Sequence, residues 1–301
     1  MTLSHSLLLA VLLLVFNACW AHKNHTTPSP VYLKTQISES LSMLSSKGGN
    51  IIVSEGKDGL LIIDNGYSDL ADNLASTLNQ TSHKAQLKYI INTHWHFDHT
   101  GANEKLGKNA TIIAHDTVRE RLKNPAKIPF FKYESGAHPE HALPTLTYPD
   151  AMKVHFNNDE LQLEHFPNSH TDGDTVIFFK KANLVHMGDL LFFPHFPFID
   201  VHNGGNAISF LNSIKKINAR INEKTVVIPG HGAITNKQGL SEFQTMLEQT
   251  ILEVKTMKDK GLLLEKIQTI GLDKKWQAWG AGFINEASWI SFIFQGLEIK
   301  P

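Results

Sequence analysis

The segment Thr93-His94-Trp95-His96-Phe97-Asp98-His99-Thr100-Gly101 constrains this 301-residue chain more than any other stretch. It follows directly on the apolar run LKYIIN at 87–92, which has the character of a buried strand. In extended backbone, side chains two apart project to the same side, so His94 and His96 can converge on one cation. The chain then bends, and Asp98 and His99 can face a second. Imidazoles and carboxylates crowded at a strand end demand a neutralising cation, because burying them bare is costly.

Three later segments have the same character. Asn168-Ser169-His170-Thr171-Asp172-Gly173-Asp174 sets His170 in a glycine-turned loop, His186-Met187-Gly188-Asp189 ends a strand in a carboxylate, and Pro229-Gly230-His231-Gly232 wraps glycines around one imidazole. Each candidate ligand falls just after a buried strand, where an open sheet gathers a site along one edge. With 17 His and one Cys, any metal must be held mainly by imidazole and carboxylate, which suits zinc, iron, nickel or manganese. A zinc site built from four cysteines, an iron–sulfur cluster and an intrachain disulfide are excluded.

Strands are expected at 50–56 and 60–64, joined by a hairpin turn at 57–59, and at 87–92, 111–114, 161–166, 175–180, 184–187 and 225–228. Helices are expected at 69–78, 207–221, 240–258 and 285–295. The stretch 123–149, with five prolines, is expected to be a long surface loop near the site. Two strand-rich halves, each followed by helices, point to an α/β layered fold.

Residues 7–16 (LLLAVLLLVF) form an apolar run shorter than the roughly 20 residues of a membrane span, and Ala18, Cys19 and Ala21 supply small residues for cleavage after Ala21. The expectation is a signal peptide at 1–21, a polar tether at 22–30 and a single domain at 31–301 with C-terminal helices. A lipid anchor at Cys19 is the alternative processing. Either leaves the folded body without a thiol, in keeping with a periplasmic or secreted location. Lys and Arg number 28 against 29 Asp and Glu, a net charge of −1, so the footprint of a nucleic-acid binder is absent. A small-molecule substrate is expected, with no nucleic acid and no membrane span; oligomeric state is not legible.

Together, HWHFDH, SHTDGD, MGD and PGHG, in that order, resemble the metallo-β-lactamase superfamily from about Asn50 to His231. The resemblance implies a four-layer αβ/βα sandwich holding two divalent ions, zinc first, with iron or manganese as alternatives. By matching positions it implies His94, His96 and His170 on one ion, Asp98, His99 and His231 on the other, and Asp189 bridging them. Asp64 would orient a ligand histidine, with Thr93 and Asp172 in similar roles. The two carboxylates and a bridging hydroxide would leave about one positive charge on the cluster. That hydroxide would attack a carbonyl, with Asp98 steering it and passing its proton to the leaving group.

Members that hydrolyse β-lactams carry Cys or Ser where this chain has Asp189. The carboxylate instead resembles glyoxalase II, lactonases and the quinoprotein-associated hydrolases. The expected function is an exported binuclear hydrolase of an ester, lactone or thioester. Alternatives are a β-lactamase, an iron-dependent persulfide dioxygenase and a non-catalytic metal-binding module. The aromatic segment 192–200 (FFPHFPFID) is either core or substrate wall, with His195 and His202 as candidates for substrate contact. The aromatic residues of 261–301 are expected to pack against the sandwich.

Overall fold

Alternation along the strands sorts their side chains between two different cores. In a computed structural model, which describes residues 31–81 and 85–298, strands Ile51–Gly56 and Gly59–Ile63 turn Ile52, Leu61 and Ile63 to one side and Ile51, Val53, Leu60 and Ile62 to the other. The first set meets Leu161, Leu163, Ile177, Phe179 and Leu184 of a second sheet. The other set packs under helix Ala71–Thr81 through Leu74 and Leu78. In the second sheet, Val176 and Phe178 alternate with Ile177 and point outward, toward Phe210, Ile214, Phe243 and Trp289 of the helices. Continuous apolar runs are what strands buried on both faces require. The result is helices, sheet, sheet and helices: the four-layer αβ/βα sandwich.

The larger sheet has seven strands. Leu33–Gln36, Leu41–Ser45, Ile51–Gly56 and Gly59–Ile63 run antiparallel to their neighbours, and Leu87–Ile91, Thr111–His115 and Leu146–Tyr148 continue in parallel. The smaller sheet orders Ala151–Phe156, Asp159–His165, Thr175–Phe179, Leu184–His186 and Val226–Ile228, the last pair parallel. Helices Ala207–Arg220, Lys237–Asp259 and Glu286–Gly296 cover its outer face. Asn206, Asn236 and Asn285 cap their N-termini by accepting backbone N–H bonds.

The stretch 123–149 departs from the expected loop. It forms a small antiparallel pair, Ala126–Ile128 with Tyr133–Ser135, and then supplies Leu146–Tyr148 to the edge of the larger sheet. Pro129 stands at the turn of the small pair and Pro144 just before the edge strand, so the prolines punctuate short elements. The expected signal peptide, Cys19 and the tether lie outside the described residues. Among the described residues no helix is long and apolar enough to cross a membrane.

Candidate metal centre

Strand Leu87–Ile91 delivers the histidine-rich segment to the seam between the sheets. Thr175 N donates to Thr93 O at 2.8 Å, tying the segment to the smaller sheet as it leaves the larger one. His96, in extended backbone, precedes the single helical turn Phe97–Thr100, which swings Asp98 and His99 back toward the histidines before it. The bend anticipated in the sequence is this turn.

All seven sequence-predicted residues converge. Ligand atoms of His94, His96, His170 and Asp189 lie within 4.8 Å of one another, as do those of Asp98, His99 and His231. Asp189 stands between the groups: its Oδ1 is 3.0 Å from His99 Nε2, and its Oδ2 lies 3.5 Å from both His170 Nε2 and His231 Nε2 and 3.9 Å from His94 Nε2.

The outer ring nitrogens set the inner ones. His94 Nδ1–H donates to Thr93 Oγ1 at 3.0 Å, His96 Nε2–H to Asp200 Oδ2 at 3.0 Å, His170 Nδ1–H to Phe198 O at 2.8 Å and His99 Nδ1–H to Asp64 Oδ2 at 2.8 Å. These tautomers follow from the acceptors offered to each ring. His94, His96 and His170 then present a lone pair inward. With neutral rings His96 Nδ1 and His170 Nε2 face each other at 2.9 Å as two acceptors, and His94 Nε2 is buried with no hydrogen-bond partner. Such a donor set fits a cation, and the surrounding acceptors are those that orient metal-binding histidines.

Electrostatics agree with a cluster built for positive charge. Burial holds His94 well below the usual histidine range, helped by the neighbouring His99. Burial also opposes charge on His99, yet Asp189, Asp98 and Asp64 together raise it well above that range. His231, partly exposed at the cavity, is pushed up to about 9 by Asp189 and Asp98 against the cost of desolvation. Burial works against the Asp98 carboxylate too, but His99 and His231 hold it at about 2.

The supporting groups only partly match expectation. Asp64 sits in the left-handed region at φ 59° and accepts from Thr93 N and Thr93 Oγ1 as well as from His99. Strained backbone of this kind gathers at functional sites. Asp172 does not orient a ligand: it pairs with Arg121 at 2.5 Å. Asp174 takes that part, accepting from His170 N and Thr171 N at 2.7 and 2.8 Å and from Thr171 Oγ1. Asp200, unrecognised in the sequence, holds His96; its only signal was its place at the end of the aromatic segment. Gly230 is required because a Cβ there would collide with Asp189 Oδ1 and the Gly188 backbone.

A cavity of about 290 Å³ opens on His96, Asp98, Asp189 and His231, walled by Tyr67, Phe97, Phe131, Phe198 and Phe283. The aromatic segment 192–200 is therefore both core and wall: Phe192 and Phe196 are buried while Phe198 lines the cavity. His195 and His202 do not line it. His186 is fully buried, its Nε2 3.7 Å from Asp64 Oδ2.

A family model described as the metallo-beta-lactamase superfamily matches residues 46–231. A probable metallo-hydrolase of Methanocaldococcus jannaschii is 29% identical over 193 residues, 62% of this chain and 88% of that protein. A hydroxyacylglutathione hydrolase of Pelagibacter ubique is 30% identical over 151 residues, 48% of this chain and 52% of that enzyme. Among solved structures, a metallo-beta-lactamase from Pontibacter korlensis superposes with a TM-score of 0.59 at 17% identity, over 72% of this chain and 99% of that one. A sec-alkylsulfatase from Pseudomonas sp. superposes with a TM-score of 0.68 at 14% identity, over 90% of this chain. The chain spans about half the length of that sulfatase and of the hydroxyacylglutathione hydrolase.

Proposed function

The chain belongs to the metallo-beta-lactamase superfamily and is a metallo-hydrolase; from that premise we propose that it holds two divalent cations and hydrolyses an ester, lactone or thioester. His94, His96 and His170 would hold one ion, Asp98, His99 and His231 the other, with Asp189 shared. Zinc is the first choice for this imidazole-rich set, with iron or manganese as alternatives. One arrangement carries the proposal: the inward nitrogens of His96 and His170, 2.9 Å apart, need a shared proton or a cation between them, and they stand beside the buried, unpartnered His94 Nε2 and the Asp189 carboxylate, a set that favours the cation.

Bound divalent ions would supply Lewis acidity and bring the pKa of water toward neutrality. The protein's own groups do the rest. Asp98 lines the cavity with its carboxylate held ionised, so it can accept a proton from water there and return it to a departing alkoxide or thiolate. Asp64, Thr93, Asp200 and the Phe198 carbonyl fix the histidine rings, and the aromatic walls give the cavity an apolar lining beside the metal-binding groups. The named hydroxyacylglutathione hydrolase favours the thioester branch. Asp189, in place of the Cys or Ser of β-lactam hydrolases, weighs against that activity. Export is proposed with it, on the apolar run at 7–16.

Metal analysis of the purified protein, followed by a panel of aryl esters, lactones, thioesters and nitrocefin, tests the proposal. Two zinc ions per chain with ester, lactone or thioester turnover is the expected result. Iron with oxygen uptake, or metal-loaded protein inert to the whole panel, would overturn it.

A further inference from the structure

Two segments far apart in sequence meet over the metal cavity through exposed aromatic rings. Phe131 closes the short turn Pro129–Phe131, and Phe283 follows the turn Lys274–Ala281, yet their ring centroids are 6.1 Å apart. Phe131 continues to Phe198 at 4.8 Å and Phe97 at 6.3 Å, while Phe283 reaches Phe192 at 5.6 Å and His231 at 6.0 Å. The two rings thus form an arch from the His96 side of the cluster to the His231 side. Phe131 is 39% exposed and Phe283 54% exposed. Water-facing aromatics joined to a pocket mark a binding surface for apolar matter.

Charge narrows the ligand further. Among the described residues, Lys47 is the only Lys or Arg lining the cavity. Its ammonium is engaged by Asp69 at 2.5 Å and lies 5.2 Å from the Tyr67 ring centroid. A substrate with carboxylates of its own finds no uncommitted side-chain cation at these walls, whereas a flat apolar group finds aromatic surface on several sides.

Building on the hydrolase proposal, we infer that the substrate carries an uncharged, flat apolar group of about phenyl size beside its scissile carbonyl, and that Phe131 and Phe283 select it. Glutathione conjugates, which carry two carboxylates, are disfavoured by the same walls. Contact of an apolar group with the arch removes ring surface from water, which sets the size of the preference.

The test compares acetyl and phenylacetyl esters of one alcohol, and a neutral against a glutathione thioester of one acyl group, on the zinc-loaded protein and its F131A, F283A, F131L and F283L variants. The parent should favour the phenylacetyl and neutral substrates. Each alanine variant should lose at least about tenfold more in kcat/KM on the phenylacetyl ester than on the acetyl ester, and leucine should restore part of that difference. Equal use of both esters, preference for the glutathione thioester, or uniform loss on both esters in the alanine variants would overturn the inference while leaving the hydrolase standing. If no ester turns over, the hydrolase proposal fails, and binding of benzyl methyl ketone, followed by ligand-observed NMR, still decides: binding that is lost in F131A and F283A upholds the selective arch, and binding unchanged by either substitution refutes it.

Discussion

Asp64 Oδ2 receives the His99 Nδ1 proton at 2.8 Å, and the same carboxylate accepts the backbone N–H and the hydroxyl of Thr93. One fully buried side chain therefore aims His99 directly and His94 through Thr93. Asp64→Ala should weaken zinc binding about 10- to 100-fold. Competition against a chromophoric chelator measures this, and unchanged affinity would remove Asp64 from its assigned part.

Asp200 performs the corresponding service for His96 and also accepts from Asn203 Nδ2 at 2.8 Å. Asp200→Ala frees His96 Nε2 and lets the ring take the wrong tautomer. Zinc at the His94, His96 and His170 position should become more easily stripped, while Asp200→Asn retains a partial acceptor and a smaller effect. Equal behaviour of the two variants would argue against a role in orienting His96.

Asp98→Ala should lower kcat by at least about 100-fold, the lower range for general acid–base catalysis, and leave the fold and one metal ion in place. Metal content and circular dichroism, measured beside turnover, separate this outcome from simple collapse. Retained activity would defeat the proton-transfer role.

The metal-free protein should change with pH in a defined direction. His231 is raised from 6.5 to about 9, so its pairing with Asp189 and Asp98 stabilises the fold fully below pH 6.5 and is lost as pH climbs through about 9. Metal-free protein should therefore unfold at lower urea concentration at the alkaline end of that window. Because His99 is raised as well, zinc uptake near neutral pH must displace protons, which calorimetry in buffers of different ionisation enthalpy will register. Zinc binding without proton release would contradict the assigned protonation.

Trp289, on the outer helix Glu286–Gly296, is fully buried, its ring centroid 5.9 Å from Phe196 and its Nε1–H donating to Thr250 Oγ1 at 3.0 Å. Trp289→Ala should cost about 3–5 kcal/mol in urea unfolding, since the cavity cannot close around so large a loss. A change below about 1 kcal/mol would show that the helical layer repacks.

Much of this architecture was legible because its determinants are local. Continuous apolar runs marked the buried strands, and spacing within 94–99 marked ligands carried by a strand end and one helical turn. Expected helix positions at 207–221 and 285–295 match Ala207–Arg220 and Glu286–Gly296 closely, their capping asparagines being sequence signals too. Supporting groups were harder because loops deliver them. Asp172 and Asp174 flank Gly173, and only the bent backbone decides which carboxylate turns toward His170. Phe131 and Phe283 carried no periodic mark at all. Strand Ala151–Phe156 was missed because its outward residues are exposed, which left too little apolar signal.

Each proposed cation draws its donors from both sheets: His94 and His96 leave the larger one, His170 and Asp189 the smaller, and Asp98 with His99 must meet His231 from the far side. Neither half of the chain owns a complete cage. Capture of an ion would thus report that the halves had docked in register, making the cofactor a checkpoint on assembly before it serves any substrate.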